Sequence, residues 1–189
     1  LVGRAGSGTV FFAGCNLRCA FCQNDDISFS DRGHRVDAEK LAAIALKLQE
    51  VGCHNLNVVT PTHVVPMILD ALDVGVPLGL RLPLVYNTGG YDALDAIEAL
   101  EGVVDIYMPD AKFADPAVAA RFCDAPDYPE VNRTVLAEMF RQVGDLTMDE
   151  EGLALRGLLV PHLVLPAAPA ATQRVLAFPP HALPPAPYV

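Results

Sequence analysis

The sequence has no apolar run approaching the roughly 20 residues a membrane-spanning helix needs, because Pro, Gly or a charged residue interrupts each one. Nor does a basic segment followed by an apolar one, the mark of a secretory leader, open the chain. A cytoplasmic protein without membrane association is expected. Basic charge is scarce: 13 Lys and Arg face 23 Asp and Glu, the net charge is -10, and no Lys/Arg-rich run occurs. Such a balance repels a phosphate backbone, so nucleic acid is not an expected partner. Cysteine is sparse and unevenly placed. Cys15, Cys19 and Cys22 fall within eight positions while Cys53 and Cys123 stand alone, a pattern unlike a secreted disulfide framework and suited to a metal centre in a reducing compartment. Internal repeats are absent, and only the Pro/Ala-rich C-terminal tail approaches low complexity.

What is present is enough for one sizeable core, with 52% hydrophobic residues in 189. Short strand-like runs alternate with segments of helical period, which predicts a β/α protein with a parallel sheet. The strand-like runs are Val10 to Ala13, Leu56 to Thr60, Leu84 to Tyr86, Asp105 to Met108 and Leu158 to Leu165, and each stops where polar or turn residues begin. Between the first two, Asp37 is placed to cap a helix with Leu41, Ile44, Ala45 and Leu48 on one face and Gly52 closing it. A second amphipathic helix is predicted from Pro129 to Val143, ended by Gly144, with Val131, Val135, Leu136, Met139, Phe140 and Val143 in one stripe. In such folds functional groups collect where the strands end, because the loops there converge on one mouth. Eight of the 16 prolines fall from Pro161 onward, which limits regular helix in the tail to about Thr172 to Phe178.

Cys15-x3-Cys19-x2-Cys22 puts three thiols on one tight loop directly after a strand. Three thiolates on one loop can hold three irons of an iron-sulfur cube and leave the fourth iron open to a ligand. Zinc and inert cysteines are the competing readings. Structural zinc normally takes four protein ligands in two pairs, and neither Cys53 nor Cys123 has a partner at that spacing.

Cys-x3-Cys-x2-Cys with an aromatic, Phe21, before its last cysteine resembles the radical S-adenosylmethionine superfamily. The longer stretch Gly6 to Cys19, with Cys22-Gln23-Asn24, is similar to a group of uncharacterised proteins that resemble pyruvate formate-lyase activating enzymes. Val59-Thr60-Pro61-Thr62-His63, Val85 to Tyr91, Val104 to Asp110, Asp124 to Glu130 and Arg141 to Asp145 agree with that group, and the resemblance covers about residues 5 to 166.

The resemblance implies a partial (β/α) TIM-like barrel over residues 1–166, followed by a tail over residues 167–189 that at most begins a sixth strand at Tyr188-Val189. It further implies a [4Fe-4S] cluster on Cys15, Cys19 and Cys22 that cleaves S-adenosylmethionine to a 5'-deoxyadenosyl radical. A flavodoxin- or ferredoxin-type protein would supply the electron, and a glycyl radical enzyme or another protein or small molecule would receive the radical. Phe21 would lie against the adenine. Where the superfamily commonly has a Gly-Gly-Glu-like segment on the methionine amine, this chain has Thr60-Pro61-Thr62-His63, so hydroxyl and backbone oxygens would accept in place of a carboxylate. Thr62 is alternatively the N-cap of a helix through Val64 to Leu72, and His63 is alternatively a surface or capping histidine. Asn87-Thr88 and Asp110-Ala111-Lys112 stand where activating enzymes carry Asp-Thr and Asp-x-Lys. Cys53 and Cys123 match no ligand of the family and read as packing residues.

Two departures stand out. Pro161 and Ala167 replace an Arg and a Gly of the resembled proteins, and those proteins extend further at both ends, so the chain reads as a short form or a fragment, with the barrel open on the sixth-strand side. The other readings are therefore an iron-sulfur binding or electron-transfer module that no longer catalyses, and a zinc-stabilised scaffold.

Overall fold

The computed structural model describes residues 1–30, 33–165 and 172–177. Five strands form the parallel part of one sheet: β1 (Gly8–Phe11), β2 (Leu56–Val59), β3 (Leu84–Thr88), β4 (Ile106–Pro109) and, after a short two-residue strand β5 (Thr147–Met148), β6 (Ala154–Leu158). Their order across the sheet is β1-β2-β3-β4-β6-β5, with only the last pair antiparallel. The protein is thus α/β with a six-stranded, mostly parallel sheet.

Side-chain alternation gives this sheet two different faces. Val10, Val58, Tyr86, Tyr107 and Leu158 are register partners in one row across five strands. They pack against helices α2 (Ala38–Glu50), α3 (Val65–Gly75), α4 (Leu94–Glu98) and α6 (Tyr128–Val143) in one apolar core that includes Leu41, Ile68, Ile97, Leu136 and Met139. Residues of opposite parity, among them Thr9, Phe11, Asn57, Val59 and Asn87, line a cavity instead.

The two long amphipathic helices form where the periodicity places them. Asp37 caps α2 by accepting from the Lys40 N–H at 2.9 Å. In α6 the predicted stripe faces the core: Val135, Leu136, Met139 and Val143 are buried, and Val131 and Phe140 pack against them. Burying each such side chain is worth about 1.5–3 kcal/mol, enough to hold the helix against the sheet. Gly144, at φ 69°, ends it.

The last strand corrects the sequence expectation. β6 ends at Leu158, where the predicted run from Leu158 to Leu165 was to begin. Beyond it Pro161 has no N–H to give a ladder, and the chain stays beside β4 through single bonds, Leu159 N to Tyr107 O at 2.9 Å and Ala111 N to Pro161 O at 2.9 Å. Asp149 turns β5 into β6 by accepting from the N–H groups of Glu151 and Leu153, a turn that no hydrophobic period announces. A short helix α7 (Thr172–Leu176) falls within the stretch to which the prolines were expected to limit regular helix in the tail. Ala167 and Tyr188-Val189 lie outside the described residues. Among the described residues no helix is long and apolar enough to cross a membrane.

Candidate functional site

A cavity of about 580 Å³ opens where β1 to β4 end. The cysteine loop closes one side of it. This loop, between β1 and the short helix α1 (Asp25–Ser28), is tied down by backbone bonds to the C-terminal turn of α5 (Pro116–Cys123), from Arg18 N to Cys123 O at 3.0 Å and from Ala20 N to Phe122 O at 2.8 Å. Beneath it lies a second, smaller apolar cluster containing Leu17, Cys19, Phe113, Cys123 and Tyr128. The loop therefore has its own core, separate from the one between sheet and helices.

Cys15, Cys19, Phe21 and Cys22 all line the cavity. So do Thr60 and Thr62 after β2, Asn87 and Thr88 at the end of β3, and Asp110 and Lys112 after β4. Thr60 holds φ at 58°, a strained value for a β-branched residue, and its N–H donates to the Asn87 carbonyl at 2.9 Å, locking two strand ends together. The Phe21 ring meets Phe113 edge-on at 5.8 Å between centroids, and the Lys112 ammonium stands 5.9 Å from the Phe21 ring centre. Lys112 also pairs with Asp110. Burial works against the lysine's charge, but Asp110 and the nearby thiols outweigh it and raise the pKa.

His63 is placed differently. It is absent from the cavity lining, and its Nε2 lies 3.0 Å from the Ala13 carbonyl, joining the β2 loop to the start of the cysteine loop. Thr62 is no helix cap: Val64 holds the N-cap position of α3 without a side-chain bond, and the Thr62 hydroxyl donates to Asp92 at 2.7 Å.

Each of the three loop thiols has a distinct neighbour. The Leu17 N–H donates to Cys15 Sγ at 3.4 Å, the Cys22 thiol donates to Ser28 Oγ at 3.6 Å, and Cys19 Sγ lies 3.2 Å from Cys123 Sγ. Burial pushes the Cys15 pKa up. Cys19 is pulled down to about 7, first by its hydrogen bond with Cys123 and further by Lys112, with burial opposing. Cys123 is pushed up by the same bond and by burial, so the two sulfurs titrate as a pair. Cys123 is thus a packing residue, as its isolation suggested, but one in direct contact with a candidate ligand.

Among the described residues no three or more His, Cys, Asp or Glu side chains are gathered as for a metal ion. A cube makes a different demand, since it takes one thiolate per iron and keeps its ligands apart. Three cysteines lining one cavity from one loop, with a backbone N–H on one sulfur and a half-buried ammonium nearby, fit that demand. The turning of Cys19 toward Cys123 is the one feature that does not.

Two helix residues to which the sequence reading gave no role fix the strand-end loops. Fully buried Tyr128 accepts from the Lys112 N–H at 3.1 Å, and its hydroxyl lies 2.9 Å from the Gly89 carbonyl and 2.8 Å from that of Asp110. One turn on, Asn132 donates to the Gly90 and Asp110 carbonyls, both at 2.9 Å. The fit leaves no room at Gly90, where φ is 72° and a Cβ would overlap the Asp110 carbonyl and the Asn132 amide.

Asp92 also escaped the sequence reading, because a lone Asp in a polar loop gives no sign that its carboxylate is buried. It is 3% exposed and accepts from Thr62, Thr88 and Tyr86. Burial raises its pKa against these bonds. The native state therefore holds the proton more tightly than the unfolded chain, and stability falls as pH rises from the ordinary carboxylate value toward the elevated native one. Measured by chemical denaturation from about pH 4 upward, the stability of wild type relative to Asp92→Asn should decline with pH. A difference independent of pH would show that Asp92 titrates as an ordinary carboxylate.

Fold and cavity define an α/β protein with a three-cysteine loop at the C-terminal edge of its sheet. It is similar to the uncharacterized protein MJ0674 of Methanocaldococcus jannaschii, with 31% identity over 169 residues, 85% of this chain and 45% of that protein. The chain thus spans a little under half the length of this relative. No protein-family model matches it.

Proposed function

We propose that the chain is the core of a radical S-adenosylmethionine enzyme, built as a partial (β/α) barrel. The observation that carries this reading is convergence: the three cysteines and the polar residues ending β2, β3 and β4 line one cavity. The sheet supports it as well. A doubly wound sheet reverses its strand order and is covered on both faces, whereas β1 to β4 run in sequence with α2, α3, α4 and α6 in the core on one face and the cavity on the other.

Cys15, Cys19 and Cys22 would hold a [4Fe-4S] cluster. When bound, that cluster supplies the electron that splits a carbon-sulfur bond of S-adenosylmethionine into methionine and a 5'-deoxyadenosyl radical. The chain's own residues position and shield. Phe21 offers an aromatic face for the adenine, Thr60, Thr62, Asn87 and Thr88 offer oxygens for the amino-acid end, and Lys112 offers a cation that Asp110 keeps charged. The glycyl radical enzyme, or other radical acceptor, and a flavodoxin- or ferredoxin-type donor belong to the same proposal.

A second reading rests on Pro161. It lines the cavity where the resembled proteins carry Arg, so a cluster-binding or electron-transfer module without cleavage activity is the competing function. Anaerobic reconstitution, reduction and addition of S-adenosylmethionine separate the two. Release of 5'-deoxyadenosine is expected; a loaded, reducible cluster that releases none would leave the electron-transfer reading.

A further inference from the structure

Cys19 lines the cavity, whereas Cys123 is 1% exposed on α5 and outside the lining, yet their sulfurs lie 3.2 Å apart. The two backbones are fastened side by side. Both residues flanking Cys19 donate to the end of α5, Arg18 N to Cys123 O at 3.0 Å and Ala20 N to Phe122 O at 2.8 Å. A disulfide needs its two backbones already in place, and with these held the sulfurs have only to close from 3.2 Å to about 2.05 Å.

The other cysteines are engaged elsewhere. Cys15 Sγ accepts from the Leu17 N–H, the Cys22 thiol donates to Ser28, and Cys53 is outside the lining. Cys19 and Cys123 belong to one apolar cluster with Leu17, Phe113 and Ala119. Two thiols meeting there bring two S–H donors to one contact, whereas a disulfide carries no proton and leaves no polar hydrogen in the cluster.

We propose that Cys19 and Cys123 are a redox modification site, joining in a reversible disulfide that turns Cys19 away from the cavity and guards it against irreversible oxidation. The oxidant is a peroxide, small enough to reach Cys19 through the cavity. The Cys19 sulfur takes one peroxide oxygen as a sulfenic acid, and its proton leaves with the other oxygen as water. Cys123 Sγ then attacks the Cys19 sulfur, and the displaced hydroxide leaves as a second water with the Cys123 proton. The two sulfurs give up two electrons in all, and the peroxide oxygens take both. A dithiol reverses the reaction by exchange and is itself oxidised to a disulfide. Cys19 thus has two exclusive uses, one toward the cavity and one toward α5. That the first is cluster ligation rests on the reading given under Proposed function; the disulfide does not.

The full chain, reduced and not yet reconstituted, is treated with hydrogen peroxide, its free thiols are blocked, and its disulfides are mapped by peptide mass. Two of the five thiols should be lost to a Cys19–Cys123 crosslink, which speeds migration on a non-reducing gel because it joins residues 104 apart. Dithiothreitol should return both. In Cys123→Ala the same treatment should carry Cys19 on to a sulfinic acid that dithiothreitol does not reverse, with loss of iron-sulfur absorbance on later reconstitution. No crosslink in wild type, or one from Cys19 to Cys15 or Cys22, would overturn the site. A Cys123→Ala protein whose Cys19 stays as reducible as in wild type would overturn its guarding role. Should that variant fail to fold, the wild-type map decides alone. A mapped Cys19–Cys123 crosslink in a chain that never holds a cluster would support the modification site and sink the reading under Proposed function.

Discussion

Replacing Cys15, Cys19 or Cys22 by Ala is expected to abolish the iron-sulfur absorbance of the reconstituted protein and its release of 5'-deoxyadenosine, while Cys53→Ala leaves both intact. The three loop thiols line the cavity and Cys53 does not. Three thiolates are also the minimum for a cube with one open iron, so the set tolerates no loss. Cys123 makes the experiment discriminating. Its sulfur is 3.2 Å from that of Cys19, close enough to take over as ligand if the loop shifted. It nevertheless sits on α5 at 1% exposure, away from the lining, so Cys123→Ala should keep the cluster. A variant set in which Cys123→Ala loses the absorbance and Cys19→Ala retains it would replace Cys19 by Cys123 in the ligand set. If Cys53 proved necessary, the open-iron model would fail.

The features legible in the sequence are those that depend on near neighbours. Asp37 three residues before Lys40, the apolar stripe of α6 and the strand runs that end in polar residues are local patterns; the cap and the stripe formed where expected, and the second, third and fourth strands formed within a residue or two of their predicted bounds. Ten of the eleven candidate site residues reach one cavity because parallel strands deliver their C-terminal ends to one edge of the sheet, whatever the loops contain. The exception, His63, shows the limit: its position is right, but a histidine one residue past Thr62 points to the Ala13 carbonyl. Asp92, Cys123 and Tyr128 were not legible as site residues for the same reason. Their roles arise from partners 30, 104 and 16 residues away, respectively Thr62, Cys19 and Lys112, and no periodicity encodes such a meeting. The end of β6 was misplaced because the apolar run past Leu158 has the composition of a strand while Pro161 removes a ladder donor.

Removing one hydroxyl from behind the strand-end loops should cost as much as removing a sizeable core contact. Tyr128→Phe keeps the ring, its edge-on contact with Phe113 at 6.5 Å and its stacking on Tyr91 at 6.0 Å, so packing is unchanged. It removes the oxygen that accepts from Lys112 N and lies within bonding distance of the Gly89 and Asp110 carbonyls. Leaving a buried N–H and a carbonyl unpaired costs about 1–3 kcal/mol. Tyr128→Ala adds a cavity in the cluster beneath the cysteine loop and should cost about 3–5 kcal/mol. Tyr91→Phe is the control, since its hydroxyl meets Asp127 at an exposed site and its loss should stay within about 0.5 kcal/mol. Denaturant unfolding of the three variants gives these costs directly. The functional consequence is carried by Lys112, whose backbone the Tyr128 oxygen holds and whose ammonium faces the Phe21 ring. S-adenosylmethionine affinity should therefore fall in Tyr128→Phe and stay at the wild-type level in Tyr91→Phe. A Tyr128→Phe protein as stable as wild type would mean that the strand-end loops are held by Asn132 alone, and that the hydroxyl contributes nothing to the geometry of the site.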